Sequence, residues 1–102
     1  MPELKRIASK QELPPPGEAK EFTLGEKTIC VANVNGQLSA MDNVCGHRGG
    51  PLGQGMVDGG KVVCPWHGWR WDPLTGAAME RPEVAIPVYP LEIEGDDVLV
   101  KL

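Results

Sequence analysis

The sequence has no long apolar run and little positive charge, and both absences exclude classes of protein. No apolar stretch of about 18 residues occurs, so we expect no membrane-spanning helix. The first residues, MPELKR, lack the apolar stretch of a secretory signal, which predicts a cytoplasmic protein. Ten Lys and Arg residues against fourteen Asp and Glu give a formal net charge of -4. Because that sign is wrong for binding phosphates, we expect no nucleic-acid partner, and the missing apolar run predicts no membrane partner.

Glycine and proline are abundant, with 13 and 10 copies in 102 residues. A chain of this length predicts one domain, and this composition favours short strands and tight turns over long helices. The pair Asn35-Gly36 lies between two strand-like segments and predicts a hairpin with a type I′ turn. Strand-like patterns occur at 4–8, 21–24, 27–34, 37–41, 61–63, 69–71, 84–88, 91–94 and 98–102. The sequence therefore predicts a single all-β, antiparallel domain over 1–102.

The middle third of the chain breaks the strand pattern with glycine and proline, which predicts loops whose order does not come from strand pairing. It contains Cys45-Gly46-His47 and, after sixteen intervening residues, Cys64-Pro65-Trp66-His67. Each short motif can direct one thiolate and one imidazole to the same point. Two Cys and two His suit either tetrahedral zinc or a two-iron cluster in which histidines replace cysteines on one iron. A zinc finger pairs its ligands by kind, so the mixed pairs favour the two-iron cluster, with zinc as the alternative.

At these residues the sequence resembles the Rieske [2Fe–2S] family, through CGHRGGPLGQG and CPWHGWRWD. The resemblance implies one [2Fe–2S] cluster, with Cys45 and Cys64 on one iron and His47 and His67 on the other. It also implies a fold of three small antiparallel sheets. In that fold a loop-rich cluster-binding subdomain, 42–76, is inserted in a base domain formed by 1–41 and 77–102.

Two departures from the respiratory branch of that family bear on the chemistry. Gly50 and Trp66 occupy the positions of its two additional cysteines, so the disulfide of that branch cannot form. Trp69 and Trp71 occupy the positions of a serine and a tyrosine whose hydroxyls donate to sulfur. Because such donors stabilise the reduced cluster, their absence predicts a reduction potential at the low end of the Rieske range.

The resemblance implies a stand-alone ferredoxin rather than an enzyme. Such a protein carries one electron from a reductase, commonly a flavoprotein, to a terminal oxygenase of the dioxygenase type. The sequence has no second iron site, nucleotide-binding glycine motif or nucleophile with its base. The alternatives are the small Rieske-like subunit of an NAD(P)H nitrite reductase and a zinc-stabilised interaction module.

Other residues have two interpretations each. Cys30, in a strand-like segment, is interpreted as a small buried hydrophobic residue rather than a redox group. The three tryptophans are interpreted as packing that excludes water, with electron conduction as the alternative. The acidic residues of the last quarter are interpreted as a solvated face, with a patch that steers a basic reductase as the alternative. These residues are Glu80, Glu83, Glu92, Glu94, Asp96 and Asp97.

Overall fold

A computed structural model describes residues 4–25, 27–44, 51–66, 68–81 and 83–101. The strands are β1 (Leu4–Ser9), β2 (Ala19–Leu24), β3 (Lys27–Val34), β4 (Gln37–Asp42), β5 (Met56–Asp58), β6 (Lys61–Val63), β7 (Arg70–Trp71), β8 (Val88–Tyr89), β9 (Leu91–Glu94) and β10 (Asp97–Lys101). Two 3-10 turns, Lys10–Glu12 and Leu52–Gln54, complete the regular structure of these ranges. None of the helical segments in these ranges has the length and apolar character to cross a membrane.

The strands form three antiparallel sheets with the orders β1-β10-β9, β2-β3-β4-β8 and β5-β6-β7. The predicted all-β fold of three small antiparallel sheets is therefore confirmed. The β5-β6-β7 sheet lies within 42–76, the range that the sequence assigned to an inserted subdomain. The division into that subdomain and a base domain stays a prediction.

The four-stranded sheet separates two hydrophobic cores, because alternate residues of a strand point to opposite faces. In β3, Ile29 and Val31 face a core that includes Val98 and Val100 of β10. Cys30 and Ala32 of the same strand face the other core, which includes Cys64, Trp71 and Val62. All of these side chains are at most 1% exposed. The core around Cys64 is thus bounded by β3 on one side and by the β5-β6-β7 sheet on the other.

The turn between β3 and β4 agrees with the predicted type I′ hairpin. Asn35 and Gly36 both have positive φ, 53° and 92°, and Val34 pairs with Gln37 across them. A second hairpin, which the sequence analysis missed, joins β5 to β6 through Gly59 and Gly60, with φ of 59° and 80°. β5 has only three residues, too few for a period-2 pattern to stand out.

The strand predicted at 84–88 is wrong in its extent. Only Val88 belongs to a strand, and Ala85 forms an isolated bridge with Ala77. The Ile86 N–H donates to the Gly76 carbonyl at 2.9 Å. A Cβ at position 76 would overlap the Ile86 carbonyl oxygen. This close approach, which glycine permits, gives the segment irregular pairing instead of a continuous strand.

Candidate metal centre

Of the four predicted ligands, only Cys64 lies in the described residues. It comes directly after β6. Cys45, His47 and His67 lie outside the described residues, so their convergence with Cys64 stays a prediction.

The Cys64 side chain is buried at the start of a closed turn. Its exposed fraction is 1%, and it belongs to the same core as Trp71. The Cys64 N–H donates to the Trp69 carbonyl at 2.8 Å, and the Gly68 N–H donates to the Cys64 carbonyl at 3.2 Å. Gly68 has a φ of 74°, which favours glycine at this position. The backbone bonds that Cys64 forms with Gly68 and Trp69 therefore fix the thiol against the core, shielded from water.

The residues that flank 45–50 are held together by backbone pairing. Val44 and Pro51 form an antiparallel bridge, and the Leu52 N–H donates to the Asn43 carbonyl at 2.8 Å. The residues on both sides of 45–50 are therefore held next to the end of β4, a strand of the four-stranded sheet.

The side chain of Asn43 anchors this pairing, and the sequence analysis missed its role. Its Oδ1 accepts from the Gly53 N–H at 2.6 Å, and its Nδ2 donates to Glu21 Oε2 at 2.5 Å. Gln54 Nε2 donates to the other Glu21 oxygen at 3.1 Å. Asn43 is 5% exposed, so loss of these partners would leave buried polar groups unpaired. Glu21 is 22 residues from Asn43, so no local sequence signal could have indicated the contact.

The strand register brings residues that follow the first motif beside the start of the second motif. Met56 pairs with Val63, which places Gly55 beside Cys64 at the open end of the β5-β6 hairpin. A Cβ at position 55 would overlap the Val63 carbonyl oxygen, so this approach requires glycine. A cleft of about 400 Å³ opens here and is lined by Gln54, Gly55, Met56, Val63, Cys64, Pro65 and Gly68. Residues that follow the first motif and residues of the second motif thus share one cleft.

The three tryptophans differ in their environments. Trp71 is 0% exposed and Trp69 packs against the same core, with ring centroids 6.1 Å apart. The packing interpretation is confirmed for these two. Trp66 is 49% exposed, so the interpretation as packing is wrong for it. Nε1 of Trp71 is buried and has no hydrogen-bond partner in the described ranges.

Cys30 is confirmed as a buried core residue. It is 0% exposed, and burial, together with the charge of Glu21, raises the pKa of its thiol from 9.0 to about 12. A neutral thiol of this kind is a poor nucleophile and a poor metal ligand.

The six acidic residues of the last quarter do not form one patch. Glu92, Glu94, Asp96 and Asp97 lie on or beside the β9-β10 hairpin, whereas Glu80 contacts β7. These two sheets pack on opposite faces of the four-stranded sheet. Three of the six are paired with arginines, in the contacts Arg6–Asp97, Arg70–Glu80 and Arg81–Glu83. All six are exposed, which agrees with the solvated face that the sequence favours over a single steering patch.

Comparison with protein families decides the nature of this centre. The model of the Rieske [2Fe–2S] domain matches residues 3–90. The chain belongs to the Rieske [2Fe–2S] family. A Rieske domain carries one [2Fe–2S] cluster per chain, which agrees with the cofactor expected from the sequence.

Two curated relatives of this Rieske domain are ferredoxin components. The ferredoxin component of biphenyl 2,3-dioxygenase from Rhodococcus jostii is 35% identical over 97% of this chain and 92% of its own. The ferredoxin component of the naphthalene 1,2-dioxygenase system from Pseudomonas aeruginosa is 34% identical over 86% of both chains. Among solved structures, the Sphingomonas yanoikuyae B1 ferredoxin is 30% identical, with a TM-score of 0.86 over 98% of this Rieske domain and 99% of that chain.

The described residues fit a [2Fe–2S] cluster. A buried thiol, a glycine-lined cleft beside it and a buried N–H that has no partner among the described residues of the same core are suited to an inserted group that carries sulfur. Cys64 would hold the cluster from the β6 end of this cleft.

Proposed function

We propose that this Rieske protein is a one-electron carrier that passes electrons from a reductase to a terminal oxygenase of the dioxygenase type. The observation that carries the proposal is the similarity to the biphenyl 2,3-dioxygenase ferredoxin component, which extends over nearly the whole of both chains. When bound, the cluster accepts one electron and releases it again.

We propose that Cys45 and Cys64 hold one iron, and that His47 and His67 hold the other. The position of Cys64 beside the cleft supports its role. The pairing that holds Val44 against Pro51, next to the first motif, supports a fixed stem for Cys45 and His47. The chain's own contribution is to fix these ligands and to exclude water from them. Trp71 and Val62 exclude water by filling the core behind Cys64.

The proposed partners follow from the relatives. A dioxygenase-system ferredoxin requires an oxygenase that receives its electron and a reductase that supplies it, and we propose a flavoprotein for the latter. A nucleic-acid partner is not proposed, because the net charge is -4. We place the protein in the cytoplasm, where a reducing environment suits a chain whose Cys30 is a free buried thiol.

Neither alternative from the sequence analysis is favoured. The two curated relatives described above are dioxygenase ferredoxin components, which does not favour a nitrite reductase small subunit. The family match, in turn, does not favour a zinc module. A nitrite reductase subunit would copurify with a large subunit, and a zinc module would be colourless.

The test is an EPR spectrum of dithionite-reduced protein, with iron and sulfide measured on the same sample. We expect about two irons per chain and a rhombic signal whose average g lies below that of all-cysteine clusters. Rapid mixing of the reduced protein with an oxidised dioxygenase of this class should then reoxidise it. One zinc per chain without an EPR signal would overturn the proposal, and so would reduced protein that no oxygenase of this class reoxidises.

A further inference from the structure

The indole N–H of Trp71 is a buried donor that has no acceptor in the part of the chain that the structure describes. Trp71 is 0% exposed. An indole nitrogen can only donate, so its hydrogen bond needs an acceptor on another group. Buried polar groups without partners are few in folded proteins, and each calls for an explanation.

The strand register places Trp71 close to the candidate cluster ligand. Trp71 of β7 pairs with Val62 of β6, and Cys64 follows Val62 by two residues. The bond from the Cys64 N–H to the Trp69 carbonyl continues this pairing beyond β6. Cys64 and Trp71 are therefore diagonal neighbours on one face of the sheet, a relation that spans roughly 7–8 Å and lies within reach of an aromatic side chain. Both side chains also belong to the same buried core.

We propose that Nε1–H of Trp71 donates a hydrogen bond to a sulfur of the [2Fe–2S] centre on its Cys64 side and thereby raises the reduction potential. The proposal rests on the proposed function, since it requires the cluster. A donor to sulfur stabilises the reduced state, which carries one more negative charge, more than the oxidised state. From the sequence alone, no donor is expected at position 71, because tryptophan lacks a hydroxyl. The buried N–H provides one.

The decisive variant replaces the N–H without changing the shape of the side chain. Trp71→3-benzothienylalanine has sulfur in place of the indole N–H and leaves no cavity. We expect this variant to lower the equilibrium constant for reduction of the holoprotein about tenfold. For one electron, this corresponds to a reduction potential about 59 mV lower. Trp71→Phe should shift the potential in the same direction. Val62→Ala is the matched control, because it opens a cavity opposite Trp71 but keeps the N–H, and it should lower stability with a smaller shift in potential.

A second measurement uses the unmodified chain and so does not depend on whether a variant folds. Pulsed EPR of reduced protein with ¹⁵N-labelled tryptophan should show a nitrogen hyperfine coupling, and this coupling should disappear in the benzothienylalanine variant. The proposed role of Trp71 is wrong if the rhombic signal and two irons are present but the coupling is absent and the benzothienylalanine variant has the same reduction potential as the unmodified protein. The proposed function would then still stand. If the unmodified protein lacks the rhombic signal, the proposed function fails and this inference fails with it.

Discussion

Cys30 and Cys64 belong to one core, yet the structure gives them different chemistry. Cys30 lies in the middle of β3, paired with Glu21 on one side and Met41 on the other. Cys64 lies where β6 ends and a surface cleft begins. Both thiols are almost fully buried, so burial does not distinguish them. The difference is that only Cys64 adjoins a space that a cluster can enter.

The buried thiol of Cys30 makes stability depend on pH at alkaline values. Its pKa is raised from 9.0 to about 12 in the folded protein. Between these values the unfolded chain releases the proton and the folded chain keeps it, so the free energy of unfolding falls as pH rises, by up to about 1.4 kcal/mol per pH unit. Urea unfolding at pH 8 to 11 should show a steeper loss of stability in the unmodified protein than in Cys30→Ala. Equal slopes would contradict a buried neutral thiol. The variant should keep its full iron content, because Cys30 is not a ligand.

At the scale of elements, local signals could be predicted and distant contacts could not. The β3-β4 hairpin and the two ligand motifs are each specified within a few residues, so their residue types indicate them directly. The anchor formed by Asn43 joins residues 22 positions apart, and the pairing of Gly76 with Ile86 replaces a strand with an irregular segment. Both depend on tertiary contacts that no single segment encodes. A role for the buried N–H of Trp71 likewise cannot be predicted without the pairing of β7 with β6.

Asn43 is expected to hold the stem of the first motif in place. Asn43→Ala removes the acceptor of the Gly53 N–H and the donor to Glu21, so we expect a loss of about 2 kcal/mol in the free energy of unfolding. Iron should also be released faster to a chelator. Thr23→Ala is the control, since it removes a single exposed hydrogen bond, to Thr28, and does not line the cleft. Similar iron-release rates for the two variants would show that Asn43 does not stabilise the cluster segment.

The close approach at Gly55 should make this position more sensitive than a turn glycine. In Gly55→Ala the new Cβ would overlap the Val63 carbonyl, so β5 and β6 must separate, at a cost of about 3 kcal/mol. Gly59→Ala has open space around its Cβ but a φ of 59°, so it should cost about 1 kcal/mol through backbone strain alone. Thermal unfolding of the two variants measures this difference. If Gly55→Ala loses less stability than Gly59→Ala, β5 and β6 separate at little cost in free energy.

At the scale of the whole molecule, the four-stranded sheet divides the protein into halves with separate cores. Among the described residues, the core that includes Val98 and Val100 has no predicted cluster ligand, and it packs β1 and β10 against the four-stranded sheet. The other core includes Cys64 and is closed by the short β5-β6-β7 sheet, whose strands have two or three residues each. Because two-residue and three-residue strands supply few hydrogen bonds, this half should depend most on the cluster for its stability.

Removal of the iron should therefore loosen one half of the molecule before the other. We expect hydrogen–deuterium exchange of iron-free protein to be fast in peptides covering 56–71, whose β6 and β7 strands close the core around Cys64. Exchange should stay slow in 27–34 and 97–101, because β3 is paired on both sides and β10 lies between β1 and β9. The holoprotein, measured in parallel, should protect all three segments. Equally fast exchange in all three segments after iron removal would show that the two cores unfold as one unit and that the four-stranded sheet does not separate them.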